Sequence, residues 1–76
     1  MLNQFILVGT VVSVDTLINN ILITIQNAND VISVMVPSDF QGLEYLTPKR
    51  FIAVKGNMKQ DFGKITLHID KLSFID

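Results

Sequence analysis

The sequence predicts an all-β domain: residues 1–76 form a single closed barrel of five strands, with one short helix between the third and fourth. Three observations lead there. Apolar residues recur with period two in several runs rich in Ile, Val and Thr, the composition that suits a pleated, half-buried surface. A single nine-residue segment, SDFQGLEYL, has helical spacing. Glycine stands inside two of the strands, at Gly9 and Gly56, where the strands of a small barrel must bend sharply.

The elements follow in order. From Leu2 to Asp15 the run LNQFILVGTVVSVD is apolar on both faces through its middle, which describes a long strand curled at Gly9. From Leu17 to Gln26 the alternation is regular, with Ile21, Ile23 and Ile25 on one face and Leu22, Thr24 and Gln26 on the other. The NAND that follows, residues 27–30, is a turn signal. A third strand, Val31 to Val36, directs Ile32, Val34 and Val36 inward and stops at Pro37, which has no N–H for a ladder. In the helical segment Ser38 or Asp39 caps the N-terminus, Phe40, Leu43 and Leu46 share a face over about two turns, and Pro48 ends it. The strand RFIAVKGNMKQ then points Ile52, Val54 and Met58 one way and Ala53, Lys55, Asn57 and Lys59 the other. A tight turn at Asp61-Phe62-Gly63 leads into KITLHIDKLSFID. There the inward set passes from Ile65, Leu67 and Ile69 to Leu72 and Phe74, a change of parity that requires a bulge near Asp70 and Lys71.

Three strands, a helix and a closing hairpin are the element order of an OB-fold, a five-stranded Greek-key barrel whose helix plugs one end. An SH3-like barrel competes, but would not put a capped helix at this place.

Composition narrows the function. Hydrophobic residues make up 49% of the chain, more aliphatic surface than so small a barrel needs, which suggests a subunit interface. No cysteine is present, the lone His68 has no second histidine beside it, and so neither disulfide nor metal site is expected. No cofactor motif, nucleophile with its base or carboxylate pair occurs, so an enzyme is not expected. Apolar runs are too short to span a membrane and no leader pattern begins the chain, which points to a cytoplasmic protein without membrane contact. Residues 1–48 hold four acids, Asp15, Asp30, Asp39 and Glu44, and no Lys or Arg. Residues 49–76 hold six cations, Lys49, Arg50, Lys55, Lys59, Lys64 and Lys71, against three acids. Such concentration of basic charge marks a face for a polyanion even at a net charge of −1.

The opening MLNQFILVGTVV and the block EYLTPKRFIAVKGNMKQ with FGKITLHIDKLSFID resemble the bacterial single-stranded DNA-binding protein family and its relative, primosomal replication protein B. Order and spacing of the two blocks carry the likeness. It implies sequence-nonspecific binding of single-stranded DNA by an oligomeric miniature of the family, with bases stacked across strands 2, 3 and 4 and on the strand 4–5 hairpin. The residues it nominates are Ser33, Met35, Arg50, Lys55, Asn57, Lys59, Phe62 and Lys64. Phe62, between Lys59 and Lys64 in KQDFGK, is the expected stacker; the alternative is that its ring folds over the barrel mouth or packs on another subunit. The sequence departs from the family in having no Trp, a short strand 2–3 connection and no aromatics on strand 3. Those departures keep open a second reading, an OB-fold protein-interaction module in a replication or recombination assembly that touches DNA weakly or not at all. Strand 1 carries two apolar sets, Phe5, Leu7 and Val11 against Ile6, Val8 and Val12. Only one fits inside a barrel, and the expected dimer or tetramer contact is Phe5, Leu7 and Val11.

Overall fold

The computed structural model describes residues 3–76, the side chain of Asp61 excepted, so the predicted strand start at Leu2 lies outside the described residues. Five strands form a closed barrel: β1 (Gln4–Thr16), β2 (Asn20–Asn27), β3 (Asp30–Pro37), β4 (Phe51–Asp61) and β5 (Lys64–Phe74). The order around the barrel is β1-β2-β3-β5-β4 and back to β1. All neighbours are antiparallel except β3 and β5, which meet in parallel at Met35 and His68. This all-β architecture is consistent with an OB-fold.

β1 closes the barrel by serving two partners. Its first half pairs with β4, from Gln4 opposite Asn57 to Thr10 opposite Phe51. Its second half pairs with β2, with a register shift between Val11 and Ser13. The crossing occurs at Gly9, where a Cβ would lie 2.4 Å from the Gln26 carbonyl oxygen and 2.6 Å from Ile25 Cγ2. Only a residue without a side chain lets the two backbones approach so closely.

The inward sets of β2 and β3 follow the alternation. Ile23, Ile25, Val34 and Val36 are fully buried and are joined by Val11, Ile52, Val54, Leu46 and Ile69 in one apolar cluster. Strand 1 reverses the expected interface. Val11 is buried in that cluster, with Phe5 and Leu7 packed against it, while Ile6 is 75% exposed and Val8 and Val12 are also open. Gly9, whose Cβ position would meet the buried Ile25, has the same parity as this inward, odd-numbered set. Phe5, Leu7 and Val11 are therefore core residues, and the surface set is Ile6, Val8 and Val12.

Two further expectations change. Between β3 and β4 stands a single 3-10 turn, Leu43–Tyr45, in place of a two-turn helix. Gly42 at its start has φ 90° and no side chain caps it, so the segment has already turned left-handed before a helix can begin. The apolar face survives the loss: Leu46 is buried, and Phe40 and Leu43 pack on the core. At the other change, β4 and β5 run past the barrel as a hairpin, leaving Met58 and Ile65 on the inward parity but exposed, Ile65 by 70%. The predicted bulge is present, since Lys55 faces Lys71 while Gly56 faces Ile69, so Asp70 is the extra residue.

Candidate nucleic-acid interface

The hairpin tip carries the most exposed aromatic ring. Phe62 is 98% exposed, and with φ 52° it and Gly63 at φ 79° form the two-residue connection between Asp61 and Lys64. Positive φ at both central residues is the pattern of a type I′ turn, for which Asn-Gly is the favoured pair. A bulky residue in that region is an outlier that costs about 1–2 kcal/mol, and strained residues of this kind cluster at functional sites. The ring neither folds over the barrel mouth nor packs on the core.

Below the tip, the outward faces of the strands line up into a belt. Leu22 of β2 stands opposite Met35 of β3, Met35 opposite His68 of β5, His68 opposite Asn57 of β4, and Asn57 opposite Gln4 of β1. Ser33 lies one row away, opposite Thr24, and Lys59 lies opposite Thr66. At strand spacings of about 4.8 Å, Met35 and Asn57 are roughly 10 Å apart across β5. The expected strand 2-3-4 face is thus not continuous, because β5 runs between β3 and β4. The residues that complete it, Thr66 and His68, were missed; their signal was the outward parity of β5. They are mutually held, with Thr66 Oγ1 3.0 Å from His68 Nε2 and 3.3 Å from the Lys59 carbonyl oxygen. Asn57 is also fixed, donating to Asp70 Oδ2 at 2.6 Å.

The other cations divide. Lys55, Lys59, Lys64 and Lys71 are all exposed on β4 and β5. Arg50 is not part of this face. It precedes β4 while Phe62 follows it, so the two are separated by the whole strand, and its guanidinium is occupied. Nε contacts Asp76 Oδ1 at 3.1 Å, Nη1 donates to the Tyr45 carbonyl at 3.0 Å, and the group lies 4.2 Å from the centre of the Phe74 ring. Arg50 fastens the chain end to the start of β4 instead of waiting for a ligand. A loop also missed by the sequence reading adds an exposed side chain: Ile18, between β1 and β2, is 97% exposed.

The Arg50 cluster has a pH signature. The Phe51 N–H donating to Asp76 Oδ2 at 3.1 Å, with the Arg50 guanidinium beside it, holds the Asp76 carboxyl below its ordinary value of 3.8. A depressed carboxyl stabilises the fold above its unfolded value, and that contribution is lost as the pH falls through the folded one. Asp76→Asn is therefore expected to lower the melting temperature modestly at neutral pH, the deficit shrinking as the pH drops below 3.8. Melting curves of both proteins across that range check it; a deficit independent of pH would contradict the assignment.

Neither the protein-family models nor the curated proteins contain a match to the sequence. Solved structures do match the fold. A replication protein A heterotrimer bound to ssDNA aligns at TM-score 0.77 and 15% identity over 99% of this chain and 59% of that one. The mitochondrial single-stranded DNA-binding protein Rim1 of S. cerevisiae aligns at TM-score 0.81 and 14% identity over 99% and 94%. Asparaginyl-tRNA synthetase from Pyrococcus horikoshii aligns at TM-score 0.80 and 21% identity over 95% of this chain but 19% of the synthetase. The chain thus spans less than two thirds of the replication protein A chain and about a fifth of the synthetase, but nearly all of Rim1. At these identities the likeness establishes the five-stranded barrel fold.

Proposed function

We propose that this barrel binds single-stranded DNA without sequence preference. The observation that carries the reading is Phe62: a fully exposed ring, held in a costly left-handed turn, on a hairpin that also presents Lys59 and Lys64. Base stacking on such a ring is worth about 1–3 kcal/mol and tolerates every base, and ammonium groups on the same arm follow the phosphates. The face of strands 2 and 3 and the loops joining strands 1–2 and 4–5 are where OB-folds take oligonucleotides. Here those places hold Ser33, Met35 and Phe62. His68, Thr66, Asn57 and Lys55 extend the path over β5 and β4. Two of the similar structures are ssDNA-binding proteins by name, which supports the reading.

The protein is further proposed to act as a dimer or tetramer through β1. Asn3 O accepts from Met58 N and Val11 N donates to Arg50 O, so the odd-numbered residues of β1 bond to β4 and the even-numbered ones face away. Asn27 Nδ2 donates to Val8 O at 2.6 Å; among the described residues no strand pairs with the remaining edge at Gln4 and Ile6. An open edge beside an exposed Ile6, Val8 and Val12 suits the same strand of a second copy across a two-fold axis.

One sample tests both. Titrating fluorescent oligo-dT at low salt is expected to show saturable, salt-sensitive binding, and light scattering a mass of at least two chains that Ile6→Lys reduces to one. No binding at high micromolar protein would remove DNA as the ligand. The protein-interaction module would then stand, favoured by Ile18 at 97% exposure, an aliphatic side chain that offers no π-face to a base. Replication or recombination partners that survive nuclease treatment in a pull-down would identify it.

A further inference from the structure

We infer that the outer face of β4 and β5, beside the β1 face assigned above to a second copy, holds a second element of the site, a phosphodiester-binding cleft built by Lys55, Lys71 and Ser73 around Ala53. The inference rests on the nucleic-acid reading and extends its path beyond the belt. Lys55 and Lys71 stand directly opposite one another on adjacent strands. Ile75 N donating to Phe51 O places pairs of this register in the hydrogen-bonded class, with Cα atoms about 5.5 Å apart. Like charges in that position are destabilising. Neither lysine is ion-paired among the described residues, where the sole ion pair is Arg50 with Asp76; the adjacent Asp70 carboxylate accepts from Asn57.

The bulge is what brings the two lysines together. Ile69 points into the core, so unbroken alternation would turn Lys71 inward as well; the extra residue Asp70 sends Lys71 outward and Leu72 to the core side. Both lysines line an open, largely apolar cleft of ≈ 210 Å³, together with Ala53, Val54, Ser73 and, at the edge of the proposed dimer face, Ile6. Two ammonium groups and a hydroxyl can donate to a pair of phosphate oxygens, with the Ala53 methyl beside them. The cleft is two residues along β4 from Asn57, about 7 Å, so a strand crossing the belt at Met35, His68 and Asn57 reaches it with the next phosphate.

Lys71 variants test this without touching Phe62 or the belt. Against a long oligo-dT, Lys71→Gln is expected to reduce the slope of log affinity on log salt by about 0.7. Lys71→Glu should raise the melting temperature, since it converts the opposed pair to opposite charges, while weakening long-oligomer binding at least about tenfold through the reversed charge at the phosphate path. Amide resonances of Lys55, Lys71 and Ser73 should shift saturably with inorganic pyrophosphate, which reads the cleft whether or not DNA binds anywhere. Wild-type binding to long oligo-dT with an unchanged slope in Lys71→Gln would overturn the inference, as would silent amides at millimolar pyrophosphate. Failure of wild type to bind any oligomer, with the amides still shifting, would overturn the nucleic-acid reading and keep an anion cleft.

Discussion

Gly56→Ala is expected to cost about 3–5 kcal/mol, enough to leave much of the protein unfolded at ordinary temperatures. A domain of this length has roughly 4–11 kcal/mol in total. A Cβ on Gly56 would lie 1.9 Å from the His68 carbonyl oxygen and 2.8 Å from its carbon. Both are backbone atoms of the neighbouring strand, which no rotamer change can move aside. The φ angle is not the reason, since the positive-φ glycines are Gly42 and Gly63. Space is the reason: Gly56 sits beside the bulge, where β4 and β5 are drawn together as the barrel closes. Gly42→Ala supplies the contrast, because nothing lies within 4 Å of its Cβ position and only the left-handed φ opposes the change, at about 1 kcal/mol. Urea unfolding of the two variants checks the order. A Gly56→Ala protein as stable as Gly42→Ala would mean that the strands at the bulge are further apart than described.

The second large effect is on binding. Phe62→Ala is expected to weaken single-stranded DNA binding by about 1–3 kcal/mol, with Tyr restoring most of it. Phe62→Asn separates the ring's role from the turn's. Asn accepts the left-handed conformation that Phe62 occupies, so this variant should be more stable than wild type by about 0.5–1 kcal/mol and yet bind as poorly as Ala. Opposite movements of stability and affinity in one protein are difficult to obtain from a residue that holds the fold. Melting curves and oligo-dT titrations on the same preparations measure both. If Phe62→Asn melts lower or dissociates the oligomer while affinity per folded subunit is unchanged, the ring is a structural contact, and the binding surface lies along Ser33, Met35, His68, Asn57 and Lys55.

Much of the barrel was legible in the residues because its strands obey period two under strong burial. Ile23, Ile25, Val34 and Val36 follow the alternation inward, and the parity change from Ile69 to Leu72 located the bulge near Asp70 and Lys71, which the register narrows to Asp70. The hairpin was legible as well, since Phe62-Gly63 is short and glycine supplies one of its two positive φ angles. What could not be read was whether the ring is covered. Exposure depends on how far β4 and β5 project beyond the barrel, and alternation continues unchanged through Met58 and Ile65 after the core has ended.

The sequence by itself determined the all-β class, the strand boundaries to within a few residues (β2 begins at Asn20, not at the expected Leu17), the inward sets of β2 and β3, and the gathering of cations into β4 and β5. Those properties are local, because each follows from neighbours along the chain. Tertiary structure alone decided which of two equally apolar faces of β1 is core, since that choice depends on the crossing at Gly9 and on two partner strands distant in sequence. It decided that Arg50 is a fastener, because Asp76, Phe74 and the Tyr45 carbonyl meet only once β4 and β5 are paired. It also decided that β5 lies between β3 and β4, which puts His68 at the centre of the belt. Strand order around a closed barrel is set by long-range pairing, and a residue's period fixes its face of the sheet but not its neighbours on that face.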